Sequence, residues 1–349
     1  MQSNHMIKKA LIVSPYFDHL GGGERYMLAA GSALESLGYQ VYFSWDNLDE
    51  ISAMASMLGI ALLSPKLDIP IKDLYFSHNP LKMYLATKGY DVVFYLSDGS
   101  LPLLGARRNI LHMQVPFHAV GGKSLKNSLK KSFISAFVVN SQFTKQVVDA
   151  EFGFSSTVLY PPVIPVPPGP GKENLILSVG RFEPSLNTKH QDVLIEAFAQ
   201  LSQSYPDWKL VLAGGSSSDQ WLNKLQSMAV GLNIEFYPNA SHQVLTQLYQ
   251  RAKLYWHAAG FNVDETKNPE LTEHFGISTV EAISAGCIPL VVPYGGQREI
   301  VAPSQLHWQT VQELIVKTKQ QIDTPIEYPF DISPYLAAHF ATQLAKLVT

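Results

Sequence analysis

The chain of 349 residues holds a single cysteine, Cys287. One thiol forms no internal disulfide, so the fold must rest on buried apolar surface, and the composition suits a reducing cytoplasm. No apolar run approaches the roughly 20 residues of a membrane-spanning helix. Charge is sparse at 16%, and 26 basic against 29 acidic side chains leave a net charge of −3. So balanced a chain has no general attraction for nucleic acid or an anionic membrane, and any such contact must be local. Asp-x-Asp pairs in a suitable loop are lacking, as are His/Cys/Asp sets at metal spacing, which favours chemistry without a bound metal. There is no internal repeat and no low-complexity tract. Lys8-Lys9 ahead of Ala10–Val13 is too short for a signal peptide and reads as the approach to a first strand. Met1–His5 reads as added sequence before a start at Met6.

Hydrophobic residues, at 46% of the chain, suffice for buried sheets, and the length points to two domains. Ala10–Val13 is a short, wholly apolar strand. A loop to Gly21-Gly22-Gly23 follows, then a helix with Met27, Ala30, Leu34 and Leu37 spaced for one face and Gly38 as its stop. Val41–Phe43 is the next strand, so the chain opens as a parallel α/β sheet. Further strands are expected at Asp91–Leu96, Asn109–Met113 and Ala136–Val139. Their polar ends, Ser97-Asp98, Gln114 and Asn140-Ser141, should share one crevice, with Ser141 capping a helix. Six prolines between Pro161 and Gly171 read as a stiff linker. The rhythm restarts with strands at Leu175–Val179, Leu210–Ala213, Ile234–Tyr237, Lys253–Trp256 and Ile288–Val292, and a helix at His190–Leu201. A last helix, Pro334–Val348, repeats Leu336, Phe340, Leu344 and Val348. The fold class is α/β, with two doubly wound parallel sheets. The domains are residues 1–162 and 173–329, joined by 163–172.

The organising stretch is Thr272–Glu281. Ser278 and Glu281 fit a capping box, which places a helix start near Ser278 and leaves the N–H groups of about Gly276 to Thr279 without intrahelical partners. Such a start is a phosphate site. Glu273 and Glu281, eight positions apart, add acceptors for sugar hydroxyls. On spacing alone, Glu281 is equally a capping residue and Glu273 an ordinary loop acid. A diphosphate needs cations, and Arg181 with Lys189, after the end of a strand, are the candidate pair. Position alone would also leave both in water.

Glu273-His274-Phe275-Gly276 with Glu281, then Ala285-Gly286-Cys287-Ile288-Pro289 and Gly295-Gly296, resembles the retaining glycosyltransferases of sequence family 4 (glycosyltransferase group 1). Ser178-Val179-Gly180-Arg181 with Lys189, Asn140-Ser141-Gln142-Phe143-Thr144 and Val158–Pro162 resemble it too. The resemblance implies a GT-B fold: two Rossmann-like domains facing a cleft, with the C-terminal helix (330–349) packing back on the first. It implies that Glu273 contacts the donor sugar, Glu281 holds the ribose, Arg181 and Lys189 clamp the diphosphate, and Phe275, Gly276, Ile277 and Ser278 offer backbone N–H groups. Gly22 and Gly23 would approach the donor phosphate or the acceptor. Where many members carry a His before a Pro, this chain has Gln114, which can hydrogen-bond but not carry charge. His112, two residues earlier, is a candidate catalytic group, and Asp98 and Gln114 are acceptor candidates; Asp98 would equally cap a turn with Gly99.

The implied reaction is metal-independent, retaining transfer of a hexose from a nucleotide sugar to a hydroxyl acceptor, saccharide or lipid-linked. Glu-His-Phe-Gly-Ile resembles mannosyltransferases using GDP-mannose, with UDP-glucose as the other branch. An epimerase or phosphorylase on this architecture, or a non-catalytic nucleotide-sugar-binding module, are the alternatives. Lys123, Lys126, Lys130 and Lys131 lie at helical spacing, with Leu125, Leu129 and Phe133 toward another face. This is either a basic amphipathic element for peripheral membrane contact or a solvated face over a core.

Overall fold

The computed structural model describes residues 7–17, 21–77, 79–183, 189–216 and 219–349. Met1–His5 and the expected start at Met6 lie outside them. The chain divides into two compact units, Met1–Pro162 with Ser333–Thr349, and Val163–Ile332.

The first unit runs β1 (Lys9–Val13), α1 (Gly22–Ser36), β2 (Gln40–Phe43), α2 (Leu48–Met57), β3 (Lys66–Leu67), α3 (Ile69–Ser77), α4 (Pro80–Thr87), β4 (Val92–Leu96), β5 (Arg108–Met113), α5 (Leu125–Lys131), β6 (Ala136–Val139), α6 (Gln142–Phe152) and β7 (Thr157–Val158). The seven strands are parallel, in the order β3-β2-β1-β4-β5-β6-β7. Alternate residues of β1 serve opposite faces: Ala10 and Ile12 pack with Met27, Leu34 and Phe43, while Leu11 and Val13 pack with Val93, Tyr95 and Leu111. With both faces covered, the strand must be apolar throughout, which is why it shows as a run rather than an alternation.

Gly22 and Gly23 belong to the first turn of α1 rather than to the loop before it, with Gly21 as N-cap. Met27, Ala30 and Leu34 are buried, but Leu37 is the exposed C-cap. The helix ends where Tyr39 N–H returns to Leu34 C=O and Gly38 N–H to Glu35 C=O, with Gly38 at φ +85°. Only a residue without Cβ takes that turn at little cost. β3 and α2 to α4 were not read from the sequence; they are short, and β3 spans only two residues.

The second unit runs β8 (Glu173–Val179), α7 (Gln191–Leu201), β9 (Lys209–Gly214), α8 (Asp219–Met228), β10 (Ile234–Pro238), α9 (His242–Arg251), β11 (Ala252–His257), α10 (Ile277–Ser284), β12 (Ile288–Val291), α11 (Gln297–Ile300) and α12 (Val311–Asp323). Its five parallel strands follow the order β10-β9-β8-β11-β12. Ile176 faces a core with Leu194, Phe198 and Trp256, and its neighbours Leu175 and Leu177 face another with Leu248, Tyr249 and Ala282. The proline-rich stretch is docked rather than suspended. Val166 is buried in that second core, its N–H donates to Ser284 Oγ at 2.8 Å, and the Gln250 amide donates to Pro167 C=O at 3.2 Å.

The chain then supplies α13 (Ala337–Val348) to the first unit. Phe340, Leu344 and Val348 enter the α1 core, and Phe340 meets Tyr26 edge-on at 5.2 Å. Burying side chains of this size contributes about 1.5–3 kcal/mol each.

In each sheet the order reverses beside its first strand, between β1 and β4 and between β8 and β11. Loops diverge there past the carboxyl ends, leaving a crevice that suits a ligand.

Candidate active site

At the second switch point, the loop after β8 carries Arg181 and Lys189, and the segment after β11 carries Glu273. Gly180 N–H bonds Ala213 C=O at 2.9 Å and Phe182 N–H bonds Gly215 C=O at 2.8 Å. The buried Gln191 amide donates to Arg181 C=O at 2.9 Å and Gly180 C=O at 3.3 Å. The loop is therefore held along its backbone while the Arg181 side chain is exposed. Among the described residues no carboxylate pairs with Arg181. The Lys189 stem lies so close to Gly180 that a Cβ there would stand 2.6 Å from Lys189 Cγ.

Lys189 Nζ reaches Glu273 Oε2 at 2.6 Å, and His257 Nε2, from the end of β11, reaches the same oxygen at 2.8 Å. Burial alone would raise the Glu273 carboxyl, but the Lys189 ammonium and the His257 hydrogen bond outweigh it and hold the group well below the usual carboxylate range. Burial pushes His257 down, so its ring stays neutral despite the carboxylate. His274 is likewise held neutral by burial, with Nε2 3.0 Å from Glu270 C=O.

α10 begins two residues earlier than the capping-box pattern, with Ser278 as N-cap, places it. Its N-cap is Gly276, at φ +119°, and no side chain caps it. The capping box does not form, because tyrosines take both of its side chains. Tyr255 OH lies 2.8 Å from Ser278 Oγ, and Tyr249 OH donates to buried Glu281 Oε2 at 3.0 Å. Thr279 and Val280 N–H both bond Gly276 C=O, so among the described residues the N–H groups left open are those of Gly276, Ile277 and Ser278, one fewer than expected. Phe275 is buried beside them. Gln297, fully buried, donates to Thr279 Oγ1 at 3.0 Å and braces the turn. Glu265 straps the segment after β11 to the start of α11, accepting from Gly295 N–H at 3.0 Å and pairing with Arg298 at 2.8 Å.

The structure thus brings Lys189 and Glu273 together and places Phe275 to Ser278 and Glu281 on the adjoining helix start. Sequence reasoning passed over His257, Tyr249, Tyr255, Gln191 and Gln297. His257 had a signal: it is the polar end of an apolar strand, the same feature that marked Gln114 and Asp98.

In the first unit the candidates are more scattered. A Cβ on Gly23 would stand 2.6 Å from the Gln114 amide, so these two are neighbours, and Gln114 C=O accepts from buried Asn140 at 2.9 Å. Ser141 caps α6, accepting from Thr144 N–H. Asp98 Oδ1 accepts from Ser100 N–H at 3.0 Å and Ser100 Oγ at 2.7 Å, so it shapes its own turn. His112 does not suit catalysis. It is fully buried, stacks on Tyr26 at 3.9 Å, lies 3.3 Å from Val138 C=O through Nδ1, and burial pushes its pKa down to about 3.

Of the two readings of α5, a solvated face over a core does not hold. No residue of α5 is buried, and Leu125 and Leu129 are 87% and 74% exposed. Lys130 and Lys131 turn back to the carbonyls of Leu101 and Phe152, and Lys123 precedes the helix, which Ser124 caps. Among the described residues no helix is long and apolar enough to cross a membrane.

Residues 164–324 match the family model described as glycosyl transferases group 1. Among curated proteins, the chain is 24% identical to GDP-Man:Man(3)GlcNAc(2)-PP-Dol alpha-1,2-mannosyltransferase of Dictyostelium discoideum over 253 residues, 62% of this chain and 47% of that one. It is 30% identical to the protein of the same name from Mus musculus over 195 residues, 48% and 36% of the two chains. The chain spans less than half the length of these relatives. Among solved structures, it is similar to HepE of Anabaena in complex with UDP and glucose, with TM-score 0.66, 17% identity, and 98% and 97% of the chains covered. A glycosyltransferase from Rickettsia africae gives TM-score 0.67 at 15% identity, with 98% and 94% covered. At such identities the likeness is one of fold, and it agrees with two Rossmann-like parallel sheets.

Proposed function

We propose, from the premise that residues 164–324 carry the glycosyl transferases group 1 domain, that this chain transfers a hexose from a nucleotide-diphosphate sugar to a hydroxyl acceptor, with retention at the anomeric carbon. The observation that carries the reading is the Lys189–Glu273–His257 cluster at the second switch point, beside the N–H groups at the start of α10 and the exposed Arg181, which pairs with no carboxylate among the described residues. As the glycosidic bond breaks, charge develops on the leaving diphosphate. Fixed cations and N–H groups stabilise that charge without reorganising. Arg181, Lys189 and the Ile277–Ser278 backbone take this role, so no bound metal is needed. Glu273 accepts from the sugar and Glu281 from the ribose. Gln114 and Gly23 are assigned to the acceptor.

GDP-mannose is the proposed donor, supported by the mannosyltransferase relatives and by Glu273–Ile277; UDP-glucose is the other candidate. The relatives' names refer to a dolichol-linked substrate, which together with the exposed Leu125 and Leu129 beside Lys123 and Lys126 supports a lipid-linked acceptor met by a cytoplasmic protein at a membrane surface.

The test is kinetic. Glu281→Ala should weaken binding of the whole nucleotide sugar and Arg181→Ala should lower turnover. Unchanged kinetics in both, with the fold intact, would end the assignment. NMR of donor without acceptor separates epimerisation from slow hydrolysis. Donor binding with no product across lipid-linked and free saccharide acceptors would favour a binding module.

A further inference from the structure

His257 has no part in the transfer as described, yet it sits at its centre. Its ring is 2% exposed, at the end of β11, with Tyr255 tilted against it at 6.4 Å. The ionised Glu273 can only accept, so the Nε2 that lies 2.8 Å from Oε2 carries the hydrogen. Nδ1 is buried with no hydrogen-bond partner among the described residues. A proton there would be a buried, unsatisfied donor, so the imidazole is neutral and in one tautomer. Lys189 donates to the same Oε2. Two donors therefore converge on one oxygen, while no described residue donates to Oε1.

We infer that His257 is a positioning residue. It holds Glu273 so that Oε1 faces a hydroxyl of the donor sugar. This rests on the transferase reading and adds a positioning residue to it.

The sugar-facing role separates His257 from a merely structural residue. Calorimetry would compare wild type, His257→Phe and His257→Gln with GDP and UDP alone and with GDP-mannose and UDP-glucose. His257→Phe keeps the bulk and removes the donor. Its affinity for the free nucleotide should stay at the wild-type value, while affinity for the sugar nucleotide falls about fivefold or more, the factor of one ordinary hydrogen bond. His257→Gln restores an N–H donor and should recover most of that loss. A smaller loss, a loss shared equally by GDP or UDP, or no recovery in His257→Gln overturns the proposal. Should His257→Phe not fold, nitrogen NMR of the wild-type imidazole decides: the Nε2–H tautomer is expected at pH 7 to 8, and an Nδ1–H or protonated ring overturns it. If wild type binds no nucleotide or sugar nucleotide, the transferase reading fails, while the imidazole spectrum still reports the His257–Glu273 contact.

Discussion

In the second unit, the chain leaving β8 and β11 brings Lys189, His257 and Glu273 into direct contact across 84 and 16 positions of sequence. In the first unit, the chain leaving β1 and β5 brings Gly23 against Gln114, and the chain leaving β4 leaves Asp98 bonded to Ser100, two residues on. Both sheets reverse at the same relative point, so backbone topology makes the crevice in each, but among the described residues only the second brings a lysine and a carboxylate into contact there. A diphosphate has a fixed, large charge, and groups held rigidly around it gain most from preorganisation. A neutral hydroxyl acceptor asks only for hydrogen-bonding groups, and a glutamine beside a glycine supplies them.

The sharpest way to break this contrast is to strip one polar group from each unit. Lys189→Ala should lower kcat about 10²- to 10³-fold, as loss of a donor at developing charge does. Gln114→Ala should raise KM for the acceptor by about tenfold or less and spare kcat, as loss of one neutral hydrogen bond does. Steady-state kinetics with both substrates varied reads the two, and equal effects on kcat would erase the distinction.

A smaller effect compares two glycines with positive φ. Gly295 has φ +64°, and an added Cβ would stand 2.0 Å from Glu273 C=O, while Gly38 has φ +85° and open space around it. Gly38→Ala should cost about 1–2 kcal/mol from the left-handed backbone alone. Gly295→Ala should cost more, because the carbonyl beside the catalytic carboxylate must move. Urea unfolding orders them, and the reverse order would mean that the site backbone is slack.

Next comes pH. The folded chain holds His112 neutral down to about pH 3, whereas in the unfolded chain it takes a proton near 6.5. Between these values the unfolded state binds the extra proton, so stability is full above pH 6.5 and falls as pH drops toward 3. At pH 5 the loss is about 2 kcal/mol. His112→Phe should flatten that slope in unfolding experiments. His257 is lowered in the same direction by burial, so a residual slope in the variant is expected from the second unit.

The smallest effect is at Cys287, whose buried thiol is pushed up to about 11 by burial. At pH 8 it should stay unlabelled by thiol reagents in the folded protein and react on unfolding. Since it belongs to the second unit, the urea concentration at which it becomes reactive tells whether that unit opens apart from the first.

Most strands were legible because parallel strands covered on both faces must be apolar at successive positions, as in Val92–Leu96 and Leu175–Leu177. Ser141 was legible as a cap because its partner, Thr144, is three residues away. The start of α10 was misread for the opposite reason. Ser278 and Glu281 have capping spacing, but Tyr255 and Tyr249, distant in sequence, claimed them. On α5, helical spacing left two readings open, a basic amphipathic element at a membrane and a solvated face over a core, and the exposed Leu125 and Leu129 exclude the second. Periodicity shows that two faces differ, and packing decides which one is covered.

From the chain alone came two wound sheets, a break near Pro161 and Pro162, and the residue types Arg181, Lys189, Glu273 and Glu281 in segments past strand ends. These follow from patterns a few residues long, which backbone sterics and burial impose locally. Tertiary structure decided that Lys189 and His257 share one oxygen of Glu273, that Tyr249 holds Glu281, and that His112 lies sealed beneath Tyr26. Such pairings join distant residues, and only the docking of loops onto a finished sheet sets the distances and burial that turn a carboxylate into part of a site.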